Sequence, residues 1–301
     1  MSPQAYFLYV ISVLIWGSTW IAIKFQLGEV DPMVSVIYRF GIASALLFAW
    51  CLLARARIRL NLVEHAFVAL QGACLFGINV WLTYWSEVYL TGGVVAVVFA
   101  LTVLMNSFNA ALFLRRPVVR TVLAGGVLGL CGVALLFWPE VDRLGSVEGA
   151  VGGLLLALLA TYCASLGTIA ATHNASFGLP VILRNAWGMF YGTMLLLVIG
   201  VFKGVEFGFP QRPSFTIALL YLAVFGSVIT FGAYVRLLAL IGPDRAGYVS
   251  MMIPLIALLI STLFEGYRWT APAAVGVVLI VVGNLLAMRR GPADPSQPGR
   301  A

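Results

Sequence analysis

Ten long apolar stretches follow one another along the chain with only short connections, and this pattern constrains the fold more than any other feature. Each stretch is near or above the ~20 residues that a helix needs to cross a hydrocarbon core of about 30 Å. Charged residues make up 10% of the 301 residues, whereas a soluble domain has about a quarter. The sequence therefore predicts an all-α, polytopic membrane protein with ten transmembrane helices. The predicted spans are 5–23, 33–54, 66–85, 92–114, 119–138, 148–170, 181–202, 215–239, 246–266 and 271–288.

The connections leave no room for a soluble catalytic domain. The longest, 55–65, 139–147, 171–180 and 203–214, have about 9–12 residues each, which is too few to bury a core. Any function must then lie within the helix bundle or at its two mouths.

The net charge of +7 follows a topological pattern and does not indicate a nucleic-acid-binding surface. Of the eighteen basic residues, ten lie near the ends of even-numbered spans, five follow odd-numbered spans and three lie within spans. Because basic residues favour the cytoplasmic side, both termini are predicted to be cytoplasmic, in the cytoplasmic membrane of a bacterium. The first stretch is too long for a cleaved signal peptide.

The chain resembles itself twice, which predicts an internal duplication. Residues 93–107 align without gaps on 247–261, and the Gly125–Gly132 spacing of seven recurs at Gly276–Gly283. The predicted repeats are 1–140 and 146–290, followed by a disordered cytoplasmic tail at 291–301. Since each repeat has an odd number of spans, the second must enter the membrane from the opposite side, and inverted repeats of this kind are typical of transporters.

The opening run LIWGSTWIAIK at 14–24, with Asp-Pro at 31–32 and Tyr-Arg-Phe at 38–40, resembles the EamA repeat of the drug/metabolite transporter superfamily. Residues 90–97 and 252–257 are similar to the fourth helix of its two repeats. The resemblance covers nearly the whole chain. It implies ten spans, a central cavity and alternating access, usually for export of amino acids or other small metabolites. The aromatic content suggests the aromatic amino acid exporters of this group (the YddG type), although no motif fixes that subgroup.

Polar side chains within the spans locate the predicted cavity, because in lipid they should face a cavity or another helix. Amides in mid-span are harder to satisfy than hydroxyls, for which a hydrogen bond between helices is the alternative interpretation. Tyrosines deep in the spans are positioned to stack on a flat substrate. The predicted substrate-binding residues are Asn79, Thr83, Tyr38, Tyr162, Tyr191, Tyr234, Ser250 and Asn106.

Four charged residues are candidates for a gate or for coupling. Arg39 is predicted to clamp a substrate carboxylate or to pair with Glu87 or Glu265, with snorkelling to the interface as the alternative. Arg184 is its predicted counterpart at the inner mouth. The two glutamates are also candidates for proton binding, with solvated loop carboxylates as the alternative.

Glycine and proline supply the predicted hinges. Pro254 removes a backbone hydrogen bond within span nine and should kink that helix, whereas the equivalent position in span four is Ala100. Gly77 in span three and Gly226 and Gly232 in span eight are the other hinge candidates.

The residue types within the predicted spans argue against a membrane enzyme. The two histidines lie in connections and no aspartate lies within a span, so neither a metal site nor a Ser–His pair has its parts there. No cofactor is predicted, and the predicted partners are a small-molecule substrate and the lipid bilayer. The chain is predicted to work as a monomer, with a dimer left open. The rival functions are a multidrug exporter for lipophilic cations and, less favoured, a channel.

Overall fold

The computed structural model describes residues 1–55, 58–138, 142, 144–146, 148–264 and 269–288. In these ranges every regular element is helical, which confirms the all-helical prediction for this part of the chain. The predicted disordered tail at 291–301 lies outside the described residues.

We number the long helical segments of the described residues α1 to α10. They are α1 (Pro3–Lys24), α2 (Pro32–Leu53), α3 (Leu62–Gln71, Gly72–Ile78 and Asn79–Tyr89), α4 (Gly92–Ala100 and Thr102–Leu114), α5 (Arg120–Leu136), α6 (Ala150–Asn174), α7 (Val181–Phe202), α8 (Pro213–Tyr221, Leu222–Ile229 and Thr230–Ile241), α9 (Tyr248–Phe264) and α10 (Ala271–Met288). A short helix, Pro243–Ala246, precedes α9.

Seven of these segments, α1 to α4 and α6 to α8, are long and apolar enough to cross a membrane by length and composition. Helices α5 and α10 are shorter apolar helices, and α9 has 17 residues, the lower end of the length that spans a bilayer. The described part of the chain is therefore that of a multi-pass membrane protein. The total of ten spans stays a prediction.

Side-chain caps fix where several helices begin. Asn61 accepts a hydrogen bond from the backbone of Glu64, whose carboxylate accepts one from the backbone of Asn61 in return. This capping box satisfies two backbone N–H groups, so α3 begins at Leu62 and not at 66 as predicted. At the start of α2, Asp31 caps the helix and Pro32 occupies its first turn, where the missing N–H of proline costs nothing.

Helices α5 and α10 approach each other along a line of glycines. Gly125 faces Gly283, and Gly132 faces Gly276. A Cβ atom on any of the four would come 2.7 Å or closer to the facing helix, so only glycine allows this contact. The sequence numbers rise in opposite directions across the contact, and the two helices are therefore antiparallel.

The other helices pack in a regular set of pairs: α2 on α7, α3 on α6, α1 on α8, α4 on α6 and α1 on α9. Two large clusters of buried apolar side chains result. Trp16 of α1 packs against both of them, which places α1 at the boundary between the two clusters.

Helices α3 and α8 each contain a π-helical stretch that periodicity did not predict, at Gly72–Ile78 and Leu222–Ile229. In the second stretch the hydroxyl of Ser227 donates to the carbonyl of Leu222, five residues earlier, at 3.0 Å. Such stretches are rare and are frequently found at functional sites.

Helices α4 and α9 differ at their predicted bend. Helix α4 is interrupted at Leu101, directly after Ala100, whereas α9 continues through Pro254. The break therefore lies in the helix without the proline, and the kink at Pro254 stays a prediction.

Candidate functional site

A cavity of about 130 Å³ borders both apolar clusters and is lined by residues of α1, α2, α3, α4, α6, α8 and α9. It has room for several water molecules. Its walls combine aromatic and aliphatic side chains with a few polar groups, the usual composition of a small-molecule site. The lining residues are Trp16, Thr19, Ile23, Arg39, Leu75, Asn79, Val80, Thr83, Tyr84, Phe99, Thr102, Ala164, Thr168, Phe231, Tyr234, Ser250 and Ile253.

Among these lining residues Arg39 alone carries a formal charge. It is only 4% exposed. Its Nε donates to Ser227 Oγ at 2.9 Å, Nη2 to the carbonyl of Gly226 at 3.3 Å and Nη1 to the hydroxyl of Tyr84 at 3.4 Å. All three acceptors are neutral, and within the described ranges Arg39 forms no ion pair.

A guanidinium has five N–H donors, so these three hydrogen bonds leave two donors of Arg39 for a ligand. A buried cation without an anionic partner is unfavourable, and its free energy falls when an anion binds to it. The geometry therefore suits a carboxylate or another small anion in the cavity, which arginine binds in a bidentate manner.

Gly226 lies close to Arg39 because it has no side chain. A Cβ atom there would lie 3.1 Å from Arg39 Nη2 and 3.0 Å from Thr19 Cγ2. Its carbonyl accepts from both Arg39 and Trp16 Nε1, the latter at 3.2 Å. The π-helical stretch that contains Gly226 thus holds the guanidinium from one side.

Tyr84 continues this polar chain away from the cavity. It is fully buried, and its hydroxyl donates to Gln26 Oε1 at 3.1 Å. Gln26, which follows α1, is itself buried, and its Nε2 has no protein partner. The chain Ser227–Arg39–Tyr84–Gln26 therefore links α8, α2, α3 and the end of α1.

Asn79 supplies the opposite polarity in the same cavity. Its Nδ2 donates to the carbonyl of Leu75 at 3.2 Å, while its Oδ1 is buried and has no hydrogen-bond partner among the described residues. Thr83, one turn on, donates its hydroxyl to the carbonyl of Asn79 at 2.8 Å. One lining residue therefore has an acceptor, and another has two donors, without a partner among the described residues.

Aromatic rings form one wall of the cavity. The indole of Trp16 lies 5.0 Å from the rings of both Phe231 and Tyr234, measured between centroids. The hydroxyl of Tyr234 is satisfied by Thr168. Tilted and edge-on arrangements at this distance are favourable, so the wall is ordered and can pack against an apolar side chain.

Five predicted residues therefore come together at the cavity, while three predicted tyrosines lie elsewhere. Those that line it are Asn79, Thr83, Tyr234, Ser250 and Arg39. Tyr162 is 43% exposed on the outside of α6. Tyr38 donates to the carbonyl of Gly208 at 3.1 Å, and Tyr191 shares a hydrogen bond of 2.8 Å with His65 Nδ1. We leave these three tyrosines out of the candidate site.

Asn106 also lies outside the cavity. Its Nδ2 donates to the carbonyl of Pro243 at 3.0 Å, and the side chain is fully buried. A Cβ on Gly247 would lie 2.9 Å from this nitrogen. Asn106 thus holds the short helix before α9 against α4, which is a structural use of the amide.

Two of the other charged candidates, Glu87 and Arg184, are not joined to Arg39. In the described part of the chain no ion pair links Arg39 to Glu87, so the predicted pairing of these two residues is wrong for this structure. Glu87 is partly buried on α3, with one carboxylate oxygen lacking a partner and Lys24 as its charged neighbour. Arg184 is 3% exposed and does not line the cavity, and Glu265 lies outside the described residues.

The predicted hinges occupy different environments. Gly77 and Gly226 lie in the two π-helical stretches. A Cβ at Gly77 would lie 3.2 Å from the carbonyl oxygen of Gly192, whereas a Cβ at Gly232 would have no described atom of a neighbouring residue within 4 Å. Pro254 lies inside α9, directly after the lining residue Ile253 in the sequence. Their role in motion stays a prediction.

Most residues of the site were not chosen from the sequence, among them Thr19, Gln26, Tyr84 and Ser227. Trp16, Thr19 and Ile23 follow a helical spacing on α1 that would have indicated a common face. Gln26 had no such signal, because it lies beyond the helix end and reaches the site only through the fold. Within the described ranges no three His, Cys, Asp or Glu side chains lie close enough to hold a metal ion.

Comparisons with known proteins agree with these observations. The model of the EamA-like transporter family matches residues 3–138 and 151–289. The inner membrane transporter YedA of Escherichia coli K12 is 27% identical over 91% of this chain and 89% of its own. The protein PagO of Salmonella typhimurium is 23% identical over 93% and 91%, and the transporter YoaV of Bacillus subtilis 25% over 91% and 93%. A crystal structure of another protein shares the fold, with a TM-score of 0.79 over 96% of this chain and 97% of that one at 18% identity.

Proposed function

This chain belongs to the EamA-like transporter family, and from that premise we propose that it exports small zwitterionic metabolites, amino acids above all, by alternating access. The predicted resemblance to that family is confirmed, and the protein is a membrane transporter. The substrate class, the mechanism and the direction are our proposal.

One observation carries the substrate class: the buried guanidinium of Arg39 lines the cavity and binds only neutral acceptors of the described protein. A carboxylate would supply the missing charge and accept the two remaining N–H donors. Such an anion is better satisfied here than at an exposed arginine, because water screens the charge less at a buried guanidinium.

Asn79 and the aromatic wall favour the rest of an amino acid. The unpartnered Oδ1 of Asn79 can accept from an ammonium group. Trp16 and Phe231 can pack against an apolar or aromatic side chain. Together these groups support aromatic or other neutral amino acids as substrates.

The proposed architecture is ten helices in two inverted repeats of five. In the alignment of the two repeats, Gly125 is equivalent to Gly276 and Gly132 to Gly283. An axis that exchanges the repeats therefore converts the contact Gly125–Gly283 into the contact Gly276–Gly132. Both contacts are present. The pairs α3–α6 and α1–α8 exchange in the same way, as do α4–α6 and α1–α9. Antiparallel packing of α5 on α10 supports an axis in the membrane plane.

Alternating access follows from this symmetry. If the two halves can exchange conformations, one cavity between them opens to each side in turn. Residues of a single chain supply all the described lining, so a monomer suffices. We place the protein in the bacterial inner membrane, as for YedA, with both termini in the cytoplasm because of the charge distribution.

A multidrug exporter for lipophilic cations is the rival function. Such a substrate requires an acidic group or an uncharged aromatic surface, whereas the charge that lines the cavity here is positive. A cation would be repelled by Arg39 at short range. A channel is the weaker rival, because inverted halves around an enclosed cavity support alternating access.

Counterflow in proteoliposomes tests the proposal. Purified protein is reconstituted into liposomes that are loaded with unlabelled amino acids. Uptake of a panel of labelled amino acids is then followed with and without a pH gradient, and uptake of a fluorescent lipophilic cation is measured in parallel. We expect saturable amino acid exchange that Asn79→Ala abolishes without loss of folded protein. Exchange of the cation with no amino acid exchange would favour the multidrug function, and full activity of Asn79→Ala would remove Asn79 from the site.

A further inference from the structure

A second cavity, of about 110 Å³, lies where α2 begins and α3 and α7 end, on the predicted outer face. It shares no lining residue with the central cavity. Its lining residues are Asp31, Pro32, Met33, Trp81, Trp85, Lys203 and Val205. Proposed transport through the central cavity does not require it.

A pair of stacked indoles forms one side of this outer cavity. Trp81 and Trp85 are four residues apart on α3 and therefore share a helix face. Their ring centroids are 5.5 Å apart with an interplanar angle of 22°. The ammonium of Lys203 lies 5.3 Å from one centroid and 5.1 Å from the other, within the range of a cation–π interaction.

Opposite charges border the cavity without neutralising each other. Asp31 caps α2 and accepts from the backbone of Met33 at 2.8 Å. Both Asp31 and Lys203 are exposed. In the described ranges no ion pair joins them, so a carboxylate and an ammonium flank the same space separately.

We propose that this outer cavity is a binding site for a small zwitterion, an ammonium joined to an anionic group by a short link. The anionic end binds Lys203, the ammonium end binds Asp31, and the indoles supply a surface that attracts the ammonium and shields both contacts from water. Two ligands share this chemistry: a free amino acid and the headgroup of phosphatidylethanolamine.

The test separates the two cavities by mutation. Arg39→Gln removes the charge of the central cavity, while Lys203→Gln and Asp31→Asn remove the two charges of the outer one. Asparagine caps a helix as well as aspartate does, so Asp31→Asn keeps the start of α2. Arg212→Gln, which removes an exposed arginine paired with Glu29, is the control for outer-face charge. Trp50→Phe, at an exposed tryptophan of α2, is the control for Trp85→Phe.

Equilibrium binding of tritiated L-tryptophan is measured in nanodiscs of phosphatidylglycerol, with tryptamine and indole-3-propionate as competitors that each lack one charge. In the Arg39→Gln background we expect saturable binding that Lys203→Gln or Asp31→Asn weakens about tenfold or more, and Trp85→Phe severalfold. The two controls leave it unchanged. Each single-charge competitor should displace tritiated tryptophan at a concentration about tenfold higher than unlabelled tryptophan requires.

Native mass spectrometry of protein from membranes with phosphatidylethanolamine gives the lipid result. Retention of this lipid that is lost in Lys203→Gln and Asp31→Asn, without tryptophan binding, identifies the headgroup as the zwitterion. If neither ligand depends on Lys203 or Asp31, the proposal is overturned. If Arg39→Gln loses transport but keeps binding at the outer cavity, the central site alone is impaired. If Lys203→Gln keeps transport but loses binding at the outer cavity, the outer site alone is impaired.

Discussion

Two buried arginines, Arg39 on α2 and Arg184 on α7, differ in one respect that matters for function. Both are almost fully buried, at 4% and 3% exposure. Arg39 lines the central cavity and makes three hydrogen bonds to side chains and backbone. Arg184 donates through Nη1 to the carbonyl of Ala171 at 3.2 Å, and its buried Nε has no partner.

The difference shows that burial of a charge does not by itself make a binding site. Arg39 is held in a defined position and also has access to a space that a ligand can enter. Arg184 is held less completely and has no such access in this conformation. We therefore assign substrate binding to Arg39, and the predicted role of Arg184 as an inner gate stays a prediction.

Among the variants of the two arginines and of the residues that position Arg39, loss of Arg39 should have the largest effect. Arg39→Gln removes the charge that faces the substrate carboxylate, and disruption of a buried charge pair costs about 2–5 kcal/mol. We expect amino acid counterflow to fall about 30-fold or more. Arg39→Lys should be intermediate, because lysine keeps the charge but not the bidentate geometry. Wild-type rates in a folded Arg39→Gln protein would contradict the assignment.

Gly226→Ala should have the next largest effect. The added methyl group would lie 3.1 Å from Arg39 Nη2 and should displace the guanidinium, at a cost of about 1–3 kcal/mol for overpacking. Transport should fall about tenfold. Gly232→Ala is the matched control, since nothing lies within 4 Å of that position. Equal activity of the two variants would mean that close packing at Gly226 does not position Arg39.

Tyr84→Phe tests the polar chain behind the guanidinium. It removes the hydroxyl that accepts from Arg39 and donates to Gln26. A hydrogen bond of this kind contributes about 1 kcal/mol, so we expect apparent substrate affinity to weaken about fivefold. The measurement is the concentration dependence of initial counterflow rates. An unchanged half-saturating concentration would show that Arg39 is positioned by Ser227 and Gly226 alone.

Arg184→Gln should have the smallest effect on transport, within about twofold, because Arg184 does not line the cavity. Unlike most core substitutions, Arg184→Gln should not lower the stability of the protein. Removal of a buried, incompletely paired charge is often neutral or stabilising, so the thermal unfolding temperature in detergent should stay the same or rise. A loss of transport as large as that of Arg39→Gln would establish Arg184 as a gate.

The sequence predicted the helical fold well, because long apolar stretches have few other solutions in lipid. The spacing of seven between glycines recurs in both halves and predicted the duplication, but the contact of α5 with α10 along these glycines was found only in the structure. The π-helical stretches could not be predicted, because one inserted residue leaves the hydrophobic pattern almost unchanged. The start of α3 was missed for a local reason, the capping box at Asn61.

About half of the predicted cavity residues line the cavity, and the misses have two causes. Helix α6 buries Thr161, Ser165 and Thr168 on one face, whereas Tyr162 was chosen for its depth in the span and lies outside that face. Asn106 and Tyr191 are used by partners far away in the chain, Pro243 and His65. Such pairings are set by tertiary structure alone. Asn79 was predicted for a reason that does not depend on these details, because a buried amide in mid-span must find partners.

Substrate discrimination by charge tests the central claim most directly. Counterflow of L-phenylalanine is compared with that of phenethylamine, which lacks the carboxylate, in wild-type and Arg39→Gln proteoliposomes. We predict that the wild type exchanges L-phenylalanine about 30-fold or more faster, and that Arg39→Gln removes most of this preference. Equal exchange of both compounds by the wild type, or a preference that survives in Arg39→Gln, would contradict the account.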